Sequence, residues 1–341
     1  MKTSQCPVQP EADIIPLQSQ SPSMSELLSF SKAIADQSRL NILAILEQES
    51  FGVLELCQIL SLKQPALTHH LKLLTDAGLL TRRREGNSIF YSRNHQVNSD
   101  LTQLQAVYFD AINSVELTPE INKRIRQIQH DRARRSEEFF QQHHERFSVN
   151  QELVAPVSAY ETQLMDQLTE CHGTVDGSDK PVLEIGPGDG QFLPSLAKIF
   201  DKVYALDNSS TMLTSAENHC EKLGIKDIQF ILGDTQSEQL EKSSFSLVVM
   251  NMVLHHNASP VQLLEDIYKM LTPGASLFLS ELSSHQQDWV REACGDLWLG
   301  FQPEELTRMA SAVGYQEGAS QYLAQRNGFV VQIRQFIKPK S

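Results

Sequence analysis

The stretch VLEIGPGDG, residues 182–190, decides the fold of the C-terminal half of this chain. Its first four residues predict a short buried strand, and three glycines alternate with other residues directly after it. Glycine suits such a turn because it takes positive φ values and has no Cβ to hold a ligand away from the backbone. The stretch therefore predicts a strand followed by a loop that binds a nucleoside-containing small molecule.

Strands and helices alternate through the rest of this half. Further strands are predicted at residues 203–207, 228–232, 247–253 and 276–280, with helical stretches between them. This order is typical of a doubly wound parallel sheet. Near the end of the chain, Asn327-Gly328 separates two strand-like segments, which predicts a tight hairpin and an antiparallel last strand. The prediction for this half is a Rossmann-like α/β domain with a reversed last strand.

Length and charge indicate two domains with different partners. A chain of 341 residues exceeds what one hydrophobic core usually serves. Residues 151–341 carry 13 basic and 25 acidic side chains, whereas residues 1–150 carry 16 and 17. Within residues 61–93 the balance reverses to six basic and two acidic side chains. We therefore expect the N-terminal half, and not the acidic C-terminal half, to contact nucleic acid.

The cysteines and the hydropathy pattern indicate the cellular compartment in which the protein is expected. The five cysteines are scattered and form no C-x-x-C pair, which disfavours a disulfide framework and a cysteine zinc site. No apolar run approaches membrane-spanning length, so we expect a cytoplasmic protein without a membrane partner. The predicted parts are a disordered lead-in (1–22), an N-terminal domain (23–117), a helical linker (118–150) and the C-terminal domain (151–341).

The N-terminal domain shows helical periodicity followed by a hairpin. Apolar residues at three-to-four spacing predict three helices within residues 24–60 and a fourth over residues 64–77, whose leucines form a buried stripe. His70 lies on that apolar face, so a structural role is favoured for it. Two basic strand-like segments then flank a turn at residues 85–88. Helices followed by a basic hairpin make a winged helix-turn-helix, an α+β arrangement.

Three segments carry a family resemblance: AIADQSRLNILAIL, QPALTHHLKLLTDAGLL and RRREGNSIFY. They resemble the ArsR/SmtB family of dimeric bacterial repressors, and the resemblance covers roughly residues 24–115. It implies a homodimer that binds a palindromic operator in double-stranded DNA, with the fourth helix in the major groove. The implied DNA contacts come from that helix and from the wing, namely Gln64, Thr68, His69, Lys72, Arg82, Arg83, Arg84 and Tyr91.

Metal sensing, which many members of this family perform, is not expected here. Such members use a C-x-C pair in the third helix, or acidic and histidine ligands in the dimer helix. In this chain Ile59 stands where the partner of Cys57 would be, and residues 101–116, the expected dimer helix, contain no histidine. One thiol without neighbours does not make a zinc site. We therefore expect no metal, and the inducer must bind elsewhere.

The glycine loop resembles the S-adenosylmethionine motif of class I methyltransferases. The spacing Glu184-x-Gly186-x-Gly188-x-Gly190 matches that motif, whereas a nicotinamide fingerprint would need glycine at Gln191. The resemblance implies acidic residues after the second and third strands for the ribose hydroxyls and the adenine amine. For the candidates after the fourth strand, ordinary packing stays an alternative. The implied site for S-adenosylhomocysteine or S-adenosylmethionine comprises Glu184, Gly186, Gly188, Gly190, Asp207, Asn208, Met212, Asp234, Thr235, Asn251 and His256.

The predicted linker is a charged, mostly polar helix that begins at Pro119. Phe139 and Phe140 are more apolar than a free linker requires. We expect this pair to pack on the C-terminal domain, over the mouth of the ligand site.

Two functions fit these features. The fusion, including residues 289–301, resembles S-adenosylhomocysteine-responsive regulators of the methionine cycle, which implies a repressor with a small-molecule effector. The alternative is an active methyltransferase of a small acceptor, fused to a domain that controls its own expression, with His255 or His256 as a base. No catalytic signature is visible, but in-line methyl transfer needs chiefly proximity and orientation. An open cavity with a base would favour chemistry, and a filled one would favour sensing.

Overall fold

The computed structural model describes residues 22–86, 88–95, 101–174, 181–240 and 244–340. The lead-in predicted for residues 1–22 lies outside this part of the chain, apart from Pro22. Within it, an N-terminal winged helix and a C-terminal α/β domain are joined by one long helix. None of the helices in the described ranges is both long enough and apolar enough to cross a membrane.

The N-terminal domain is the winged helix-turn-helix that the periodicity predicts. Its strands form an antiparallel sheet in which the first strand pairs with the third. The predicted leucine stripe of the fourth helix is fully buried at Leu67, Leu71 and Leu74. The elements are α1 (Met24–Ile34), α2 (Gln37–Ile45), β1 (Phe51–Gly52), α3 (Val53–Leu60), α4 (Gln64–Asp76), β2 (Leu80–Glu85), β3 (Ser88–Arg93) and α5 (Thr102–Asn113).

Local capping positions α2 against α4. The Asp36 carboxylate accepts a hydrogen bond from the backbone N–H of Arg39 at 3.0 Å and so caps α2. The same carboxylate lies 3.7 Å from Nδ1 of His70, which is partly buried on α4. His70 therefore contacts the neighbouring helix and does not face outward with the rest of the α4 surface.

The joining helix, α6 (Pro119–Val154), is longer than the linker expected from the sequence and is not a free spacer. The Thr118 hydroxyl accepts a hydrogen bond from the backbone N–H of Ile121 at its start. Ile121 and Ile128 are buried in the core of the winged helix. The first part of α6 therefore belongs structurally to the N-terminal domain.

The C-terminal domain has a seven-stranded sheet of order β6-β5-β4-β7-β8-β10-β9. Strands β4 to β8 run parallel, and β10 runs antiparallel to both of its neighbours, as the Asn-Gly hairpin predicts. The elements are α7 (Glu161–Thr174), β4 (Val182–Ile185), α8 (Leu193–Leu196), β5 (Val203–Asp207), α9 (Ser210–Lys222), β6 (Ile228–Leu232), β7 (Phe245–Asn251), α10 (Pro260–Met270), β8 (Leu271–Leu282), α11 (Trp289–Ala293), α12 (Pro303–Val313), β9 (Gln316–Ala324) and β10 (Val330–Ile337).

Both faces of this sheet are covered, so the central strands are buried and largely apolar. In β7, Leu247 and Val249 belong to one core cluster, and Val248 and Met250 belong to the cluster on the other face. The predicted bounds of β4, β5 and β6 are confirmed. β7 begins and ends two residues earlier than expected, because the chain turns into a 3₁₀ turn at Leu254–His256.

Candidate ligand site and nucleic-acid interface

A cavity lies at the carboxyl ends of β4, β5 and β7, where the chain reverses direction across the sheet. This is the crevice in which open α/β sheets bind ligands. Gly186 and Gly188 form its floor with φ values of +65° and +60°. A Cβ at Gly188 would meet only the methyl end of Met212, at 3.9 Å, so the backbone there is open to a ligand.

Most of the residues that the sequence assigns to a cofactor line this cavity. They are Glu184, Gly186, Gly188, Asp207, Asn208, Met212, Asn251 and His256.

Gly190, Asp234 and Thr235 do not line this cavity. Gly190 has φ of +84°, and a Cβ there would lie 2.8 Å from the backbone of Ala216, so this glycine allows α9 to approach β4. The Asp234 carboxylate accepts a hydrogen bond from the backbone N–H of Gln236, and the Thr235 hydroxyl donates to Asp266. Their assignment to the cofactor therefore stays a prediction, which the lining of this cavity does not support.

Two carboxyl groups that line the cavity, those of Glu184 and Asp207, have pKa values raised by burial. Burial raises the pKa of Glu184 to about 8, although its carboxylate accepts a hydrogen bond from Nδ2 of Asn251 at 3.1 Å. Its other oxygen has no hydrogen-bond partner in the described part of the chain. Burial also raises the pKa of Asp207 to about 6, although Asp207 accepts from the backbone N–H of Ser209. A ligand with hydroxyl or ammonium donors would satisfy both groups.

Helix α6 supplies a wall of this cavity that the site motifs did not reveal. Ser136, Glu137 and Phe140 line it. The Phe140 ring packs edge-on against His256 with 5.0 Å between ring centroids, and the Ser136 hydroxyl donates to the His256 carbonyl at 3.2 Å. The expectation for the phenylalanine pair is met in part: Phe140 lines the cavity, whereas Phe139 lies against Gly295 of the C-terminal domain and does not line it. The apolar pair in a polar helix was the signal for this packing.

The same helix joins the cavity to the DNA-binding fold through Arg132, which is buried. Its guanidinium donates to both carboxylate oxygens of Glu55 on α3, at 2.9 and 2.6 Å, and to the carbonyls of Ser50 and Ala258. It also lies 4.9 Å from the ring centroid of Trp298 in the C-terminal domain. No sequence pattern distinguishes this residue, because it stands among other arginines in a charged helix.

The wing docks on the C-terminal domain. Glu85, at the end of β2, is almost completely buried and accepts a hydrogen bond from the backbone N–H of Leu299 at 2.9 Å. The guanidinium groups of Arg83 and Arg291 lie at its carboxylate, at 2.5 and 3.5 Å. Phe90 of β3 packs edge-on against Trp298, with 5.5 Å between ring centroids.

The expected DNA contacts fall into two groups. One group is exposed on the outer face of α4 and on the wing, namely Gln64, Thr68, His69, Lys72, Arg82 and Arg84. Arg83 instead pairs with Glu85 and Glu305 and donates to the Gly300 carbonyl. Tyr91 is only 8% exposed and packs in the winged-helix core, so its assignment to DNA is wrong for this conformation.

Comparisons with known proteins agree with this division. Residues 36–82 match the family described as "Bacterial regulatory protein, arsR family". Over 81 residues the chain is 37% identical to the arsenical resistance operon repressor of Staphylococcus aureus, covering 24% of this chain and 78% of that repressor. The chain belongs to the arsR family of bacterial regulatory proteins. The match lies in the N-terminal domain, which is therefore an ArsR-type DNA-binding repressor domain.

The second half of this arsR-family protein matches "Methyltransferase domain" over residues 183–279. The chain is 28% identical over 129 residues to the biotin biosynthesis bifunctional protein BioHC of Teredinibacter turnerae, covering 35% of this chain and 23% of that protein. Among solved structures, the N-methyltransferase NodS of Bradyrhizobium japonicum with S-adenosylhomocysteine is 19% identical, with a TM-score of 0.42, covering 53% of this chain and 88% of that chain. The family match identifies a methyltransferase domain in the arsR-family protein, and that domain has the Rossmann-like seven-stranded sheet with the reversed strand β10.

Proposed function

We propose that this protein is a cytoplasmic transcriptional repressor whose methyltransferase-like domain binds S-adenosylhomocysteine or S-adenosylmethionine as an effector. Methionine-cycle genes are the proposed targets, because S-adenosylhomocysteine is the product of every transfer of a methyl group from S-adenosylmethionine. A regulator that senses this pair would report the balance of the cycle to the genes that restore it. The support for the ligand is the cavity at the glycine loop, with the Glu184 and Asp207 carboxyl groups beside it.

The proposal rests on the observation that helix α6 contacts both the cavity and the helix-turn-helix. Phe140 lines the cavity, and Arg132 binds Glu55 of the helix-turn-helix from the same helix. These two residues are eight positions apart, which is about 12 Å along a helix axis. A ligand that moves Phe140 therefore acts on a rigid element whose other contacts are in the DNA-binding domain. Ligand binding in the cavity can thus change the free energy of DNA binding, because no flexible linker separates the two sites.

When the wing is docked on the methyltransferase-like domain, the protein should bind its operator more weakly. While Arg83 pairs with Glu85 and Glu305, it is not available to a phosphate. Release of the wing from the methyltransferase domain would return Arg83 to the DNA-binding surface. The two domain arrangements, docked and released, are the two states that a ligand would bias.

A homodimer and a palindromic operator complete the proposal. Large apolar side chains are exposed on α1 and α5, which meet where Phe30 packs on Tyr108. Leu28 is 53% exposed, and Val107 is 67% exposed. An apolar surface shared by two helices supports self-association of this part of the chain. Two copies related by a twofold axis would place the two α4 helices on the half-sites of a palindrome.

The test is fluorescence anisotropy of ligand-stripped protein on labelled DNA from upstream of its own gene, titrated in parallel with the two ligands. A shift in operator affinity with one ligand supports the proposal and identifies the effector. Ligand binding by calorimetry without any change in operator affinity would contradict it.

The alternative function, methyl transfer to a small acceptor, is favoured by one observation. His256 lines the cavity, and its imidazole is a type of side chain that can act as a base. Against this, Phe140 covers His256 from α6. Radiolabelled methyl transfer to small molecules of a cell lysate would favour the enzyme over a pure sensor.

A further inference from the structure

A cluster of four buried polar side chains lies behind the ligand cavity: His255, His256, Glu281 and Asp296, here called the His255 cluster. Nδ1 of His255 lies 2.5 Å from Oε1 of Glu281. Nε2 of His255 and Nδ1 of His256 each lie 3.9 Å from Oδ1 of Asp296. One ligand atom from each histidine and one from Asp296 lie within 4.8 Å of one another.

The cluster is chemically incomplete. Nε2 of His255 and both carboxylate oxygens of Asp296 are buried without a hydrogen-bond partner among the residues that the structure describes. Buried polar atoms are normally paired, and a group of them that converges on one point indicates a missing partner.

We propose that His255, His256 and Asp296 bind one divalent transition-metal ion, with zinc as the ion that this donor set fits best. Two imidazoles and one carboxylate are a common set of protein ligands for zinc in a site that keeps a position open. The site does not depend on the proposed effector, and it departs from the expectation that this protein binds no metal.

Glu281 orients the first of these ligands. A histidine that binds a metal through one ring nitrogen usually donates the other N–H to a carboxylate, which fixes the tautomer. The contact between Nδ1 of His255 and Glu281 leaves Nε2 directed toward Asp296. The backbone N–H of His255 also donates to the other oxygen of Glu281, at 3.1 Å, so the ring and its supporting carboxylate are held together.

Charge and distance agree with a divalent ion. The cluster holds two carboxyl groups, Glu281 and Asp296, whose ionised forms together match the charge of one divalent ion. Ligand atoms about 2.1 Å from a tetrahedral zinc ion lie about 3.4 Å apart. The two 3.9 Å separations in the cluster exceed this distance by about 0.5 Å, and all of the ligand atoms lie within 4.8 Å of one another, so binding requires the side chains to draw together.

Access to the site runs through the ligand cavity, because His256 belongs to both. The other side of the cluster leads to the docked wing. The backbone N–H groups of Leu297 and Trp298 donate to the His255 carbonyl at 3.0 and 3.1 Å, and the next residue, Leu299, binds Glu85. An ion bound here would therefore connect the wall of the cavity with the surface on which the wing rests.

The test uses the full chain without an affinity tag. Protein purified without chelators is analysed for metal by plasma mass spectrometry, and chelator-stripped protein is titrated with Zn²⁺ against a chromogenic indicator and with Co²⁺ by visible absorption. We expect one ion per chain and Co²⁺ bands typical of mixed nitrogen and oxygen ligands. A chain that takes up neither ion would overturn the proposal, and a shared proton or a water molecule would then fill the cluster.

Variants assign the ion to this site. Asp296→Asn keeps the size of the side chain and should weaken Zn²⁺ binding at least tenfold, and Glu281→Gln should weaken it by about 10- to 100-fold. His219→Gln, on α9 and outside the cluster, is the matched control and should bind as the wild type does. Equal affinity of Asp296→Asn and His219→Gln would place the ion elsewhere and reject the site. Circular dichroism of each variant separates lost ligands from lost folding, and if Asp296→Asn unfolds, Glu281→Gln and the wild-type stoichiometry still decide the question.

Discussion

Replacing Arg132 with methionine tests the connection between the two domains. Methionine keeps an unbranched apolar stem to pack against Phe51 and Trp298, but it leaves Glu55 without the guanidinium. The Arg132 side chain is 4% exposed and that of Glu55 is 17% exposed, so the pair is largely withdrawn from water. The variant therefore removes one partner of a buried, doubly hydrogen-bonded ion pair.

The expected loss of stability follows from that geometry. Removing one partner of a buried pair costs about 3–5 kcal/mol, because the other charge is left without compensation. Glu55 keeps a hydrogen bond from the backbone N–H of Gly52 at 2.8 Å and reaches solvent in part, which places the cost at the lower end. We expect the free energy of unfolding to fall by about 3 kcal/mol. At roughly 2–4 °C for each kcal/mol, the melting temperature should fall by roughly 6–12 °C.

The same variant should uncouple the ligand from the operator. We expect Arg132→Met to bind the ligand, while the ratio of operator dissociation constants with and without ligand moves toward 1. Arg134→Met is the matched control on the same helix: its pair with Glu138 is about half exposed, so its loss should cost only about 0.3–0.5 kcal/mol and leave the coupling intact. Urea unfolding and anisotropy measure the two quantities. Equal behaviour of the two variants would refute the role given to Arg132.

Three further predictions follow from the site and the wing. Asp207→Ala should abolish ligand binding in calorimetry and leave the operator affinity of the stripped protein unchanged. Because burial raises the pKa of Asp207 to about 6, the affinity of the wild-type protein for the ligand should fall as the pH drops below that value. An affinity that stays constant between pH 7.5 and 5.5 would argue against the carboxylate contact. Gly190→Ala should lower the melting temperature, since its φ of +84° disfavours a side chain and the Cβ would meet the backbone of Ala216; an unchanged melting curve would contradict this reading. Arg82→Ala and Arg83→Ala should each reduce the salt dependence of operator binding by about one phosphate contact, because release of the wing returns Arg83 to the DNA. An unchanged salt dependence for Arg83→Ala would show that the wing stays docked on the operator and would contradict the docked and released states.

The elements that local pattern specifies could be predicted well. The strands at residues 182–185, 203–207 and 228–232 have the expected bounds, because each is a short apolar run closed by turn residues. The reversed last strand follows from one Asn-Gly turn. In the cofactor site, the residues close to the glycine loop and at the ends of β5 and β7 line the cavity as expected.

The errors occur where a residue's surroundings come from distant parts of the chain. Tyr91 lies in a basic strand, yet the face that it occupies is decided by how the hairpin packs on the helices, which alternation alone does not reveal. Glu85 has the sequence context of a turn residue, but two of its partners, Arg291 and Leu299, are more than 200 residues away in the chain. Gly190 matches the motif for a reason of packing, since the third glycine lets α9 approach the sheet.

The sequence alone determined the two domain types, the order of the strands along the chain and the position of the glycine loop, because periodicity, capping and glycine conformations act over a few residues. Only the tertiary structure decided that α6 connects the cavity to the helix-turn-helix, that the wing rests on the methyltransferase domain, and that His255, His256 and Asp296 meet in one buried cluster. These arrangements depend on burying charged groups beside partners far away in the chain. Burial and pairing are properties of the packed molecule, and no local window of sequence contains both partners.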